Sequence, residues 1–105
     1  MKIIYNKLIP FDGYAAINLF GILFVREGVK ISDRLINHES IHSEQMKEML
    51  YIFFYLWYVI EWVVKLFKYG DEAYRNISFE REAYDNDRNE IYISKRKKYA
   101  WLKLL

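Results

Sequence analysis

The sequence contains no cysteine, which excludes a disulfide scaffold. Neither sign of charge prevails, because 16 lysines and arginines stand against 14 aspartates and glutamates. Proteins that bind mainly phosphate groups are usually more basic, so nucleic acid is not an expected partner. A length of 105 residues leaves no room for a second domain or a repeat array. Residues 1–105 are therefore expected to form one domain.

The N-terminus also lacks the features of a secretory signal. Met1–Asn6 carries one basic side chain, and no long apolar stretch with a small-residue cleavage site is present. The expected location is therefore the cytoplasm, and attachment to a membrane surface is the alternative.

Aromatic residues, by contrast, are abundant. Ten tyrosines, seven phenylalanines and three tryptophans argue against intrinsic disorder, and many of them fall between Tyr51 and Tyr69. The apolar run Met49–Ile60 is shorter than the ~20 residues that a membrane-spanning helix needs, and Glu61 would be costly inside a bilayer. We therefore predict a buried helix here. A membrane surface and a second copy of the chain are the alternative partners of its aromatic surface.

The first 30 residues have the character of strands. Ile3–Tyr5 and Ala15–Val25 are rich in β-prone residues, and Gly21 interrupts the second run. Turns are predicted at Asp12-Gly13 and at residues 26–28. This pattern predicts a small antiparallel hairpin or a three-stranded meander.

A long helical region follows the strands. Ser32 and Asp33 can begin a helix, and no glycine or proline occurs from there to Lys68. Because one helix of that length is unusual in a small domain, we expect a break near residues 50–54.

The region after Gly70 is predicted to be helical again. A short helical turn is expected over residues 71–77, and Ser78 is predicted to cap a last helix that runs towards Arg96. The predicted fold class is α+β, with the antiparallel strands packed on three main helices.

The only two histidines of the chain form a His-Glu-x-x-His motif around Glu39. His38 and His42 are four positions apart, so on a helix both imidazoles lie on one face and can reach one metal ion at ~2.0–2.1 Å. Glu39 lies about 100° round the helix, displaced from the ligands but close enough to hold a metal-bound water. The alternative is a pair of surface histidines that bind nothing.

A catalytic zinc site typically has three protein ligands and one open position. With no third histidine and no cysteine, the third ligand must be acidic. The acidic cluster that begins at Glu80 lies on the opening turns of the last predicted helix, and it supplies the candidates.

These residues carry a resemblance to a known family. His38-Glu39-Ser40-Ile41-His42 followed by Phe79-Glu80-Arg81-Glu82-Ala83-Tyr84 resembles the gluzincin metallopeptidases, most closely the membrane-type zinc endopeptidases, which have aromatic-Glu-x-x-Ala-Asp at the second place. The resemblance implies a minimal zincin-like fold and zinc-dependent hydrolysis of a peptide or protein substrate. It implies that Glu39 is the general base and that His38, His42 and Glu80 bind zinc, with Glu82 as the reserve ligand.

The same resemblance assigns roles to neighbouring residues. Tyr84 stands where the family has an aspartate that orients the first histidine. Gln45 either supports the metal site by hydrogen-bonding to one of its ligands or is a polar residue at the rim of the site. Ile22, Leu23, Phe24 and Val25 form either the edge strand that aligns a peptide or an ordinary core strand. A tyrosine is expected to stabilise the oxyanion, although the sequence does not indicate which one. The alternative function is a non-catalytic zinc-binding or membrane-associated interaction module.

Overall fold

The computed structural model describes residues 1–10 and 14–105. The predicted turn at Asp12-Gly13 lies outside these residues. The elements are the strands β1 (Lys2–Asn6), β2 (Ala16–Leu19) and β3 (Ile22–Arg26) and the helices α1 (Asp33–Glu48), α2 (Ile52–Tyr69), α3 (Ala73–Asn76), α4 (Ser78–Asn86) and α5 (Tyr92–Lys95). Two 3₁₀ turns cover Gly70–Glu72 and Ala100–Leu104. The α+β class with three main helices, α1, α2 and α4, is confirmed.

The sheet is mixed, with the strand order β1-β3-β2. The prediction of antiparallel strands is right for β2 and β3, which form a hairpin whose turn residues Phe20 and Gly21 both have positive φ. It is wrong for β1, which pairs in parallel with β3. The reason is that β3 inserts between the first two strands. Hydrophobic pattern predicts that strands form, but it does not predict their order.

The expected break in the long helical region is confirmed, and it falls between α1 and α2 at residues 49–51. Leu50 and Tyr51 both have positive φ, at 52° and 61°, which no α-helix accommodates. The start of α1 is capped as predicted, because the Ser32 hydroxyl accepts a hydrogen bond from the Leu35 amide at 3.0 Å.

Aromatic side chains join the helices. The core cluster consists of Met46, Phe54, Ile77, Phe79 and Trp101. The ring of Phe79 lies 4.5 Å from that of Phe54 and 4.7 Å from that of Trp101, between centroids. Packing of this kind holds α2 and α4 together and brings the 3₁₀ turn at the C-terminus onto both.

The prediction that residues 49–67 form a buried core helix is wrong. Within α2 only Phe54 and Glu61 are buried. No single helix of the described chain has both the length and the hydrophobicity to cross a bilayer. Asp33–Glu48 and Ile52–Asn86, bent by 108° at their junction, meet that criterion only as a pair, by length and composition.

The last predicted helix is shorter than expected. α4 ends at Asn86 instead of continuing towards Arg96, and Ile77 rather than Ser78 occupies its cap position. Arg96 is turned inward, where its guanidinium pairs with Glu48 at 2.9 Å and with Glu82. Because these partners lie on α1 and α4, the chain must leave the helix before it reaches Arg96.

Candidate metal centre

Two helices bring together three side chains that could hold a metal ion. His38 and His42 lie one turn apart on α1, and Glu80 lies in the first turn of α4. The Nε2 atoms of the two histidines are 3.2 Å apart, and Glu80 Oε1 lies 3.2 Å from His38 Nε2 and 3.0 Å from His42 Nε2. All three side chains are buried. The group is therefore a compact set of two nitrogen donors and one oxygen donor.

The spacing of these donors fits a tetrahedral metal site. Ligands bound at ~2.0–2.1 Å around a tetrahedral zinc ion are separated from one another by roughly 3.3–3.4 Å. The three separations of 3.0–3.2 Å come within a few tenths of an ångström of that value. The three donors would thus form one face of such a tetrahedron, and the group found among the described residues contains no fourth donor. The donor types, imidazole and carboxylate, are those that catalytic zinc sites use.

His42 is held in the orientation that metal binding needs. Its Nδ1 lies 2.7 Å from Gln45 Oε1, and the Gln45 amide donates to Phe79 O and to Glu82 Oε1. Because the amide nitrogen is engaged as a donor, the amide oxygen must accept from Nδ1–H. The neutral imidazole therefore presents the lone pair of Nε2 towards His38 and Glu80. Gln45 lies where the sequence-based hypothesis of a supporting hydrogen bond requires it.

His38 is oriented by a residue that sequence analysis missed. Asp87 Oδ2 lies 2.8 Å from His38 Nδ1, and its Oδ1 accepts from Arg34 Nε at 2.8 Å. Burial raises the pKa of Asp87, but the hydrogen bonds from His38 and Arg34 lower it by more than burial raises it. The net shift of the pKa is therefore downward. Asp87, the residue after the last one of α4, follows Glu80 by seven residues, about two helical turns, and this spacing does not indicate its contact with His38.

Tyr84 contacts His38 by ring packing and not by a hydrogen bond. Its ring packs edge-on against the ring of His38 at 4.5 Å between centroids, and its hydroxyl lies 3.3 Å from that of Tyr74. The guanidinium of Arg75 covers the ring at 3.7 Å. Tyr84 therefore restricts the His38 ring by packing, whereas Asp87 supplies the hydrogen bond.

Replacing Asp87 by asparagine is expected to lower zinc affinity by about 10–100-fold. The amide keeps the size of the carboxylate but loses the charge that fixes the His38 tautomer and raises its basicity. Competition with a chromogenic chelator measures the effect. Asp85→Asn is the matched control, since Asp85 is an exposed carboxylate two positions earlier, in α4. Equal affinities of the two variants would contradict the role of Asp87.

The second oxygen of Glu80 is bound by a tyrosine of α2. Tyr58 donates its hydroxyl proton to Glu80 Oε2 at 2.7 Å, which leaves Oε1 facing the two histidines. Burial, followed by the charge of Glu80, raises the pKa of Tyr58 far above its usual value, so the hydroxyl stays a donor. α2 thus aims the carboxylate, a contact that sequence reasoning had not found.

Glu82, the reserve ligand, points away from the histidines. Its carboxylate accepts from Arg96, from the Tyr92 hydroxyl at 2.7 Å and from Gln45 at 3.1 Å. Burial raises the pKa of Glu82, but these hydrogen bonds outweigh burial and keep the pKa low. Each step along a helix turns the side chain by about 100°. Glu80 and Glu82 are two steps apart, so their side chains lie on nearly opposite sides of α4 and face different surroundings. Glu82 belongs to the structural ion pair, and Glu80 lies at the metal-binding group.

Glu39 is half-buried and lies between two surface depressions. One is lined by His38, Tyr74 and Asp87, and the other by His42 and Glu80. Within the described residues its carboxylate forms no hydrogen bond or ion pair. Burial raises its pKa, and the charge of Glu80 adds to that increase while the histidines oppose it. A carboxylate with a raised pKa that opens to solvent has the properties of a general base.

The strand beside Glu39 is β2, not the predicted Ile22–Val25. That segment is β3, the central strand, with both of its edges hydrogen-bonded, so it cannot add a peptide as an edge strand. Among the described residues β2 pairs with no strand other than β3, and the Tyr55 hydroxyl donates to Asn18 O in β2 at 3.4 Å. Asn18 ties β2 to α1 by donating to Glu39 O at 2.9 Å and to Ser43 Oγ at 3.1 Å.

Charge within the donor group makes the metal-free protein sensitive to pH. Burial lowers the pKa of His42, but the charge and hydrogen bond of Glu80 raise it more, to about 9 from the ordinary 6.5. Burial raises the pKa of Glu80, while His42 and the hydrogen bonds from His38 and Tyr58 lower it well below its usual range. Near neutral pH His42 and Glu80 therefore form a buried ion pair.

The metal-free protein is expected to lose stability as the pH rises from about 6.5 to about 9. A histidine whose pKa is raised on folding stabilises fully below the unfolded pKa, and this contribution disappears above the folded one. The expected loss is roughly 2–3 kcal/mol in the free energy of unfolding, measured by urea denaturation. Zinc affinity should increase over the same range, because zinc competes with the proton on His42. His42→Gln should flatten both profiles, and a flat wild-type stability profile would contradict the ion pair.

The fold and the site define a small α+β protein with a buried His38–His42–Glu80 group that could hold a metal ion. No protein-family model, curated protein or solved structure matches the chain. Its function is therefore argued from the geometry of this group.

Proposed function

We propose that the protein is a zinc-dependent peptide-bond hydrolase of the gluzincin type. The observation that carries the proposal is the donor triangle of His38, His42 and Glu80, whose sides match a tetrahedral zinc site, with Glu39 unpaired beside it. Two imidazoles and one carboxylate carry a net charge of −1, which suits a divalent cation with one open position. The histidine-supporting residues Asp87 and Gln45 complete the arrangement.

Zinc bound there would lower the pKa of a coordinated water towards ~7 and polarise a substrate carbonyl. Glu39 takes the proton from the attacking water and passes it to the nitrogen of the leaving amine. The raised pKa of Glu39 lies closer to neutral pH than that of an ordinary carboxylate, which favours both uptake and release of the proton. Tyr58, Asp87 and Gln45 keep the donor side chains in place during this transfer.

A peptide substrate is aligned along the edge of β2 that pairs with no other described strand, displacing the Tyr55 hydroxyl from Asn18 O. Ala16–Leu19 lines the same depression, of about 310 Å³, as Glu39, His42 and Glu80. Backbone hydrogen bonds to an added strand would place a peptide bond beside the donor triangle without demanding a particular side-chain sequence. Asn18 fixes the distance between β2 and α1.

Tyr74 is the best-placed tyrosine for stabilising an oxyanion. It lines the depression that contains His38 and Glu39, and its hydroxyl lies 3.3 Å from that of Tyr84, whereas the hydroxyl of Tyr58 donates to the candidate ligand Glu80 at 2.7 Å. Burial, followed by the charge of Glu80, raises the pKa of Tyr74, so its hydroxyl keeps the proton that it would donate.

The test is hydrolysis of a peptide library by the full chain prepared with one equivalent of zinc. Cleavage that a chelator abolishes and zinc restores supports the proposal. Tyr74→Phe should then lower kcat by about 10²-fold and leave zinc content unchanged. Binding of zinc at His38 and His42 without any cleavage would instead favour a non-catalytic zinc-binding module. Failure of the wild-type chain to bind zinc would contradict both.

A further inference from the structure

The outward side of α2 is an apolar surface that the fold leaves exposed. Eleven side chains between Ile52 and Phe67 are exposed, and every one of them is aliphatic or aromatic. Phe67 is 91% exposed and Ile52 is 71% exposed. We call these eleven side chains the outer face of α2. They cover roughly 220° of the helix circumference at 100° per residue.

The charged side chains within Ile52–Phe67 point away from this face. Glu61 is buried and accepts hydrogen bonds from the Ser78 hydroxyl at 2.7 Å and from the Trp57 indole at 3.1 Å. Lys65 donates to Asn76 O at 2.8 Å and lies 3.6 Å from Glu61. A helix on a water-exposed surface has its charges outside and its apolar side chains inside. α2 has the reverse arrangement, which is the polarity expected of a helix surrounded by lipid on its outer side.

The outer face offers almost nothing to hydrogen-bond. Within residues 52–67, all of which the structure describes, Trp62 has the one exposed side chain with a polar group left unpaired. Interfaces between proteins usually carry about one hydrogen bond per 100–200 Å² and a polar rim. A wide face without such groups fits acyl chains better than a second protein surface.

A basic segment lies beside the outer face. No acidic residue follows Glu90, and Lys95, Lys97, Lys98 and Lys103 are all exposed. The ring of Trp101 in this segment packs on the ring of Trp57 in α2, at 5.5 Å between centroids. Lysines held next to an apolar helix complement the headgroups of anionic lipids.

We propose that the outer face of α2 binds the surface of an anionic lipid bilayer. The helix lies in the plane of the surface, with its aromatic and aliphatic side chains among the upper acyl chains and the lysines of residues 95–103 at the headgroups. The buried side of α2, which carries Tyr58, faces the rest of the domain. This inference does not depend on the proposed hydrolase activity.

Flotation with vesicles tests the proposal. The full chain is mixed with vesicles of phosphatidylcholine and phosphatidylglycerol at 3:1 and centrifuged through a sucrose gradient, in which bound protein rises and aggregates do not. Wild type should float, with or without a chelator. Ile60→Gln/Val63→Gln should lower the partition coefficient by at least about tenfold. The reason is that the variant loses the favourable free energy of transferring two exposed apolar side chains from water to the acyl chains.

The matched control places the same change on exposed apolar side chains outside α2. Leu8 and Tyr14 are 84% and 67% exposed, and Leu8→Gln/Tyr14→Gln should float like wild type. Lys97→Gln/Lys98→Gln should reduce flotation on the anionic vesicles and leave the weaker binding to pure phosphatidylcholine unchanged.

Three results would overturn the proposal. The first is a wild-type chain that fails to float, and the second is a variant at positions 60 and 63 that floats equally well. The third is a discrete wild-type dimer that the variant dissociates while neither protein floats, because that would assign the outer face to a second copy of the chain. Circular dichroism of each variant shows whether the helices are intact, so that loss of flotation is not mistaken for unfolding.

Discussion

Glu39→Gln is expected to keep one bound zinc and to lose about 10²–10⁴-fold in kcat. The amide has the shape of the carboxylate but cannot accept the proton of the attacking water. Glu39 contributes no donor atom to the metal-binding group, so zinc content and the unfolding transition should stay close to those of wild type. Zinc stoichiometry and the rate of cleavage of a fluorogenic peptide, measured on the same sample, separate the two effects.

Glu44→Gln is the matched control for this experiment. Glu44 lies on the same helix, and its carboxylate pairs with Lys47 at the surface at 3.0 Å. Its removal should change neither zinc binding nor the rate. If the Glu39 variant retained full activity, the cleavage would have to come from another group, and the assignment of the general base would be wrong.

Glu80→Gln and Glu82→Gln are expected to have opposite effects, although the two residues are only two positions apart. The Glu80 variant should lose more than about 100-fold in zinc affinity, because a neutral amide replaces the charged ligand. Its fold should persist, since Tyr58 can still donate to the amide oxygen. Titration with zinc against a competing chelator measures the loss.

The Glu82 variant should keep its zinc affinity within about threefold and should lose roughly 2–3 kcal/mol of stability. Its carboxylate is a buried partner of Arg96, and hydrogen bonds to charged groups contribute on this scale. Glu48 remains as the second partner of Arg96, which limits the loss. Urea unfolding of the metal-free protein measures it. Loss of zinc from the Glu82 variant and retention by the Glu80 variant would reverse the assignment of the ligand.

Local spacing was enough to predict the donor triangle in outline. Histidines four residues apart on a helix must share a face, whatever surrounds the helix. The need for a third ligand in a chain without cysteine led to the acidic cluster around Glu80. The choice between Glu80 and Glu82 stayed open, because it depends on how α4 is rotated against α1. Packing of Phe79 in the core and pairing of Glu82 with Arg96 set that rotation.

Contacts between distant parts of the chain were beyond the reach of local patterns. Asp87 is 49 residues from His38, and Tyr58 is 22 residues from Glu80. The strand order of the sheet was unpredictable for the same reason, because it too depends on contacts between distant residues. The β-propensity of β1 and β3 is the same whether they pair in parallel or not. Of the two alternatives for Ile22–Val25, the edge strand is wrong and the core strand is right, and the edge without a further strand partner belongs to β2.

The many aromatic residues show most clearly which features follow from the sequence alone and which depend on tertiary packing. Composition and periodicity alone established a small α+β domain, a His-Glu-x-x-His helix and an aromatic segment too short to span a bilayer. They could not establish which side of α2 is buried, because Glu61 interrupts the apolar run whichever way it points. Tertiary packing turns Glu61 towards Ser78 and exposes the apolar side chains around it. A buried charge needs partners, and the chain supplies them only once α2 and α4 have come together.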